Sequence, residues 1–316
     1  MNFTNILQAG VNCRIVEHLT FTTSEDVGLN VSLSGVRRIV GIVACAGSLG
    51  WLSISAIAAD IPTASPSLDR GFHLLYGLDF TAAQQVFTSW QNEHPDDPLG
   101  PASEAAGLLF SEFNRLGVLE EQFYKDDRAF AARKSFTPDP ALRDRFEAAL
   151  DLAEKRAQTR LNSRPNDPDA LFAMTLASGL RADYAALIEK RNLASLHFTK
   201  QATSWANRLL ATDPEYYDAH LATGVSQYII GSMAAPVRWL VRLGGVPGDK
   251  QAGIRELEIT AQHGRYLAPF ARILLAIAYV REKELAHARQ ILVALRNDFP
   301  ENKLFAREIV RLDSQP

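Results

Sequence analysis

Apolar residues recur three and four positions apart across most of the chain after residue 67, and no stretch alternates convincingly. That period is typical of helices with one buried face. Three segments share one spacing, in which a small residue is followed by apolar residues and a proline at fixed offsets. They are Ala83, Phe87, Trp90 and Pro95; Ala202, Ala206, Leu209 and Pro214; and Ala288, Leu292, Leu295 and Pro300. The first three positions share a helix face and the proline ends the helix, so the recurrence predicts repeated helical units.

Junctions rich in proline divide this helical region. Each has a proline that stops one helix, followed by an Asp or Asn that can cap the next. The junction prolines are Pro95, Pro165, Pro214 and Pro300, and the intervals between them are 70, 49 and 86 residues. These unequal intervals predict long helices and insertions between the repeated units.

The sequence resembles the tetratricopeptide repeat family. That family places an apolar residue, a small residue and an aromatic on a first helix, then Ala-x3-Phe and a terminal proline on a second. The last unit matches through Leu275, Ala276, Tyr279, Ala288, Leu292, Leu295 and Pro300, and the first through Gly71, Ala83, Phe87, Trp90 and Pro95. The resemblance implies an all-α, TPR-like α-solenoid of antiparallel helix pairs with irregular insertions. It resembles, in particular, exported bacterial proteins of this repeat type.

The N-terminal part has a different composition. Arg37 and Arg38 precede an uncharged apolar run at 39–59 that ends in an Ala-x-Ala-like site. This pattern predicts a secretory signal peptide cleaved after Ala58 or Ala59. The run is about 21 residues long, so a membrane anchor is the rival interpretation.

Either interpretation exports the region C-terminal to the run, because arginines before an apolar span stay in the cytoplasm. We therefore predict three regions and an extracytoplasmic or periplasmic location. Residues 1–59 form a polar extension plus signal peptide, 60–67 a linker, and 68–316 the helical repeat domain.

Composition excludes several function classes. The net charge is −3, so nothing indicates a nucleic-acid surface. Cys13 and Cys45 are the only cysteines, and both precede the repeat region, which therefore has no thiol for zinc or nucleophilic chemistry. The common hydrolase, metalloprotease and nucleotide-binding motifs are absent, and no histidines pair at ligand spacing. We expect no catalytic residue, cofactor or metal site.

A candidate peptide-binding groove follows from the resemblance, since the first helices of such pairs line the concave side. Aromatic residues fall on those predicted helices, with polar residues near them that could orient a ligand. The set is Tyr76, Phe110, Arg181, Asp183, Tyr184, Tyr228, Tyr279 and Arg281. The alternative is that each aromatic only fills a helix–helix contact.

The segment Gly231–Lys250 is a second candidate site. It spans about twenty residues where connections of 2–8 are usual. A short helix there would place Arg238 and Arg242 on one side beside Trp239, and it could touch a membrane surface or a partner. Alternatively, this apolar segment folds back over exposed core.

Together these observations favour an exported, non-enzymatic scaffold or adaptor that binds a protein or peptide through its concave groove. One alternative is an envelope enzyme or small-molecule receptor with a pocket near residues 231–250. Another is a structural subunit of an envelope assembly. A deep enclosed cavity with converging charged groups would favour the receptor, and an open groove would favour the scaffold.

Overall fold

The computed structural model describes residues 67–119, 136–233, 235, 238 and 248–314. Within these residues the chain forms eleven α-helices, a π-helical turn, a 3-10 turn and no strand. The helices are α1 Leu68–Tyr76, α2 Phe80–Glu93, α3 Leu99–Arg115, α4 Pro140–Ser163, α5 Pro168–Asp183, α6 Asn192–Thr212, α7 His220–Gly231, α8 Lys250–His263, α9 Ala268–Arg281, α10 Leu285–Asp298 and α11 Lys303–Asp313. The predicted leader, residues 1–59, lies outside this described part.

The helices pack consecutively as pairs. Each helix contacts the next, and among the first helices of the early pairs α1 also contacts α3 and α3 contacts α5. The residues of the recurring spacing lie in the core: Ala83, Phe87, Ala202, Ala206, Leu209, Ala288, Leu292 and Leu295 are all buried. The predicted all-α solenoid of helix pairs is thereby confirmed.

The proline junctions end and start helices as predicted. At each one the residue before the proline donates its N–H to a carbonyl four residues back, and its own carbonyl accepts an N–H from three residues ahead. At three of the junctions the following Asp or Asn then receives backbone N–H groups of the next helix, whereas α7, after Pro214, has no side-chain cap. The Asp167 carboxylate accepts from Ala170 at 2.9 Å and the Asn302 side chain from Leu304 at 3.0 Å. Such caps satisfy donors that have no partner inside the helix.

The turns inside the first and last pairs are the same structure. Leu78 and Lys283 adopt positive φ values of 66° and 65°. In both turns the residue that follows, Asp79 or Glu284, donates its N–H to the carbonyl five positions back. This left-handed ending closes a helix by satisfying its last carbonyls. The first and last pairs therefore share one turn geometry.

Close contact between α1 and α2 depends on Gly71. A Cβ at this position would overlap the Phe87 ring, whose side chain is fully buried. The small residue of the repeat pattern is therefore required by packing, because it allows the two helices to approach around the aromatic ring.

Helix α5 continues through a π-helical turn, Tyr184–Ile188. The combined segment Pro168–Ile188 is long and apolar enough to cross a bilayer, but 67% of its most apolar window is buried inside the protein. It is therefore the central core helix of the described part. The wider turn at its end changes the direction of the chain into Lys190, which has positive φ.

Helix α1 contacts two connections near the other end of the domain. The Asp69 carboxylate pairs with both Nε and Nη2 of Arg265 at 2.8 Å, and the Tyr76 hydroxyl donates to the Tyr266 carbonyl at 3.0 Å. The Asn302 side chain donates to the Tyr76 carbonyl at 2.9 Å. The first pair is thus joined to the α8–α9 and α10–α11 connections.

Candidate binding site

Two adjoining cavities, which we call the inner cavity together, lie on the side formed by the first helices of the pairs. Their volumes are about 120 and 140 Å³. Side chains from α1, α3, α5, α7 and α9 line them, with contributions from α6 and α8. The walls common to both are Phe110, Ala182, Asp183, Thr199, Val225, Phe270 and Leu274.

The walls of the inner cavity are mostly apolar. Phe110 of α3 and Phe270 of α9 meet edge to face with ring centroids 5.4 Å apart, so they join two helices that are distant in sequence. Gly179 contributes open space, because a Cβ added there would have no neighbour within 4 Å. An apolar void of about 150 Å³ is large enough for a benzene-sized group. Each part of the inner cavity therefore suits one side chain or a small apolar ligand.

Asp183 is the exception in this apolar lining. It is the last residue of α5, and its partly accessible side chain forms part of the wall of both cavities. Burial alone raises the pKa of Asp183 to about 7. In the described part of the chain no side chain hydrogen-bonds or ion-pairs with it. At neutral pH the carboxyl is thus divided between its neutral and charged forms.

Three other polar groups of the lining, Thr175, Thr199 and Asp218, already have partners. The hydroxyl groups of Thr175 and Thr199 donate to carbonyls four residues back, at 2.9 and 2.8 Å. The Asp218 carboxylate accepts the backbone N–H groups of Arg265, Tyr266 and Leu267, which precede α9. Asp218 therefore organises the α8–α9 connection and has little capacity left for a ligand.

The structure brings five of the eight predicted groove residues to the inner cavity. Phe110 and Asp183 line both parts, Tyr76 lines one, and Tyr228 and Arg281 line the other. The Tyr76 hydroxyl donates a hydrogen bond to the Tyr266 carbonyl, and the Tyr228 hydroxyl lies 3.4 Å from a Glu282 oxygen. These two tyrosines therefore act mainly as parts of the wall. Ligand binding by any of the five stays a prediction.

The other three predicted residues make contacts elsewhere. Arg181 pairs with three acidic side chains of α4, those of Glu147, Asp151 and Glu154. Tyr184 stacks on Phe146 at 5.2 Å. The Tyr279 hydroxyl donates to Glu258 at 2.9 Å. These three residues join helices rather than line the inner cavity.

The segment between α7 and α8 is described only in part. Arg238 donates to the Gly231 carbonyl at 3.0 Å, which holds it against the end of α7. Trp239 and Arg242 lie outside the described residues, so a membrane or partner contact there stays a prediction.

Sequence reasoning missed Gly179, Val225, Phe270 and Leu274 as cavity residues. Phe270 follows Pro269 on the first helix of the last pair, and this position could have indicated a groove-facing aromatic. Val225 and Leu274 have ordinary apolar neighbours, and no local pattern separates cavity walls from filled core. Among the described residues no group of three His, Cys, Asp or Glu could hold a metal ion.

No family model matches the chain, and no curated protein matches it. A solved structure of a thermophilic TPR protein from Thermus thermophilus aligns with 79% of this chain and 100% of its own, at 15% identity and a TM-score of 0.39. At those values the assignment rests on the helix pairs of this chain itself. They define a TPR-like helical repeat protein with an apolar inner cavity.

Proposed function

We propose that the protein is an exported, non-catalytic scaffold that binds a protein or peptide partner on the inner side of its helix pairs. Apolar side chains of the partner would enter the inner cavity. The observation that carries this proposal is the apolar inner cavity between the first helices, lined by Phe110 and Phe270. Burying one large apolar side chain there contributes about 1.5–3 kcal/mol.

The size of the inner cavity favours anchor side chains over a whole small-molecule substrate. Sites for drug-sized ligands usually enclose about 300–1,000 Å³. Parts of about 120 and 140 Å³ are closer to single side chains. A few buried anchors often supply most of the binding energy of an interface. Export is proposed from the apolar run at 39–59 and its Ala-x-Ala-like end.

A photo-cross-linking experiment in intact cells tests the proposal. A photoreactive residue replaces Arg281, which is exposed and lines the second part of the inner cavity. The control replaces Val310, which is 69% exposed on α11. We expect discrete protein adducts from position 281 and none from position 310.

Two variants at Gly179 connect the adduct to the inner cavity. Gly179→Phe fills the open space beside α5, whereas Gly179→Ala adds one methyl group where no atom lies within 4 Å. Because Gly179 lines the first part of the inner cavity, the adduct should weaken with Gly179→Phe and persist with Gly179→Ala. Adducts from both positions, or none from position 281 together with turnover of a small substrate, would reject the scaffold.

A further inference from the structure

We propose that the inner cavity binds an apolar group ending in a protonated amine, and that Asp183 pairs with the ammonium. This inference rests on the proposed function, because it names the chemistry of the group that enters the same cavity. The ammonium could belong to a lysine side chain of a partner or to a free alkylamine. Both have a flexible apolar stem and a compact cation with three donors.

The position of Asp183 is the first argument. Its side chain forms part of the wall shared by both parts of the inner cavity, so a ligand in either part reaches it. The apolar side chains around it, including Phe110, Val225 and Leu274, offer no hydrogen bond. An alkyl stem would contact these walls while its charged end meets the carboxylate.

The other charged groups near the inner cavity do not compete with Asp183 for pairing with an ammonium. On its own helix Arg181 points to the acids of α4. From the α7 side Asp218 is saturated by three backbone N–H groups. From α9 Arg281 is exposed and lines only the second part of the inner cavity. The tyrosine hydroxyls that line it, on α1 and α7, already have partners.

Energetics favours a cationic ligand over the alternatives. A carboxylate in apolar surroundings without a partner is costly, and the cost disappears when the group is neutral or paired. Burial raises the pKa of Asp183 to about 7, which shows that its charged form lacks compensation. An ammonium supplies that compensation, and its attraction to Asp183 increases when the carboxyl ionises. An anionic ligand would meet a second negative charge.

Three probes with the same alkyl stem test the chemistry on the full chain: n-hexylamine, n-hexanol and hexanoate. We expect n-hexylamine to bind about tenfold more tightly than n-hexanol at pH 8, measured by calorimetry, because hydrogen bonds to charged groups exceed neutral ones. Hexanoate should bind most weakly. Gly179→Phe, which fills the first part of the inner cavity, should weaken binding of all three probes, and Gly179→Ala should preserve it.

The pH dependence in the unmodified protein is a second measurement that needs no variant. The amine stays protonated between pH 6 and 8, whereas Asp183, with a pKa of about 7, changes from mostly neutral to mostly ionised. Affinity for n-hexylamine should therefore rise about tenfold over this range. Affinity for n-hexanol should stay flat or fall. In Asp183→Asn, circular dichroism should be unchanged and the preference for the amine should fall to about twofold or less.

The outcomes separate this inference from the proposed function. Equal binding of n-hexanol and n-hexylamine, or an amine affinity that ignores pH, overturns the ammonium inference and leaves the apolar site intact. Amine binding without any adduct from position 281 overturns the scaffold alone. The source of the ammonium is identified by competition. The peptide Ac-Ser-Leu-Lys-Leu-Ser-NH2, or its analogue with norleucine in place of lysine, competes with bound n-hexylamine. Displacement by the lysine peptide alone assigns a peptide source, and displacement by neither assigns a free amine.

Discussion

The Asn302 side chain donates a hydrogen bond to the Tyr76 carbonyl at 2.9 Å across 226 positions of sequence. The same side chain accepts from the Leu304 N–H at 3.0 Å and so caps α11. One buried amide thus serves both as a helix cap and as a connection between the first and last pairs. Neighbouring rings support the connection, since the centroid of the Phe299 ring lies 5.8 Å from that of Tyr76 and 4.9 Å from that of His73.

We expect Asn302→Ala to lower the free energy of unfolding by about 1–3 kcal/mol, because it removes a helix cap and leaves a buried carbonyl without a donor. Urea unfolding measures the change. The matched control is Asn297→Ala on the exposed surface of α10, which should stay within about 0.5 kcal/mol of the unmodified protein. Equal effects of the two substitutions would contradict a role for the Tyr76 bond.

Lys283→Gly should stabilise the protein by about 0.5–1 kcal/mol. Lys283 is exposed with φ at 65°, and glycine adopts that conformation without the steric cost of a Cβ. Lys283→Ala is the control, since it removes the same side chain and keeps the Cβ. Thermal and urea unfolding should show a gain only for glycine. A gain of the same size with alanine would assign the effect to lost charge.

Arg181→Gln should destabilise the protein by about 1–3 kcal/mol in low salt. It would leave Glu147, Asp151 and Glu154 of α4 close together without their cation. Salt screens the attraction and the new repulsion alike, so the difference should shrink at high ionic strength, for example in about 0.5 M NaCl. Unfolding in both salt concentrations tests this. A deficit that ignores salt would indicate lost packing of the arginine stem.

The raised pKa of Asp183 predicts how stability depends on pH. A carboxyl whose pKa is higher in the folded state binds more protons there, so its contribution to stability falls as pH rises from about 4 to 7. Asp183→Asn removes that loss. The variant should gain stability relative to the unmodified protein between pH 5 and pH 8, by about 2–3 kcal/mol at most. Urea unfolding at both pH values gives the comparison, and a constant difference would show that Asp183 does not titrate near 7.

Mass spectrometry of the protein from its native cells tests the leader. Cleavage after Ala58 or Ala59 predicts a mature chain that begins at Ala59 or Asp60. Replacing Ala58 and Ala59 together with larger residues should leave the uncleaved form in the membrane fraction. A full-length chain in the unmodified cells would instead support the membrane anchor.

Sequence pattern predicted the helices and their ends well, because the signals are local. Proline at Pro165 and Pro300 and the Asp or Asn that follows act within a few residues of the chain. The same holds for apolar residues at helical spacing, such as Ala288 and Leu292. These signals were enough to predict the paired all-α fold.

The inner cavity was only partly predictable. Phe110 was singled out as an aromatic on a predicted first helix and Asp183 as a polar residue near such aromatics, and the structure places both in the wall of the inner cavity. Arg181 was chosen for the same reason but lies beside α4, because helix rotation decides which neighbouring side chains a residue faces. The contact of Asp69 with Arg265 has no local signal at all, since the two residues are 196 positions apart.

An open helical array can gain or lose a pair without changing its other neighbours, and its stability is close to a sum over adjacent units. The bonds from α1 to Arg265, Tyr266 and Asn302 remove that freedom, because they need a fixed number of pairs between their partners. They also connect the two ends thermodynamically, so neither terminal pair should fray independently. This chain should therefore behave as a protein of fixed length that unfolds in one cooperative transition.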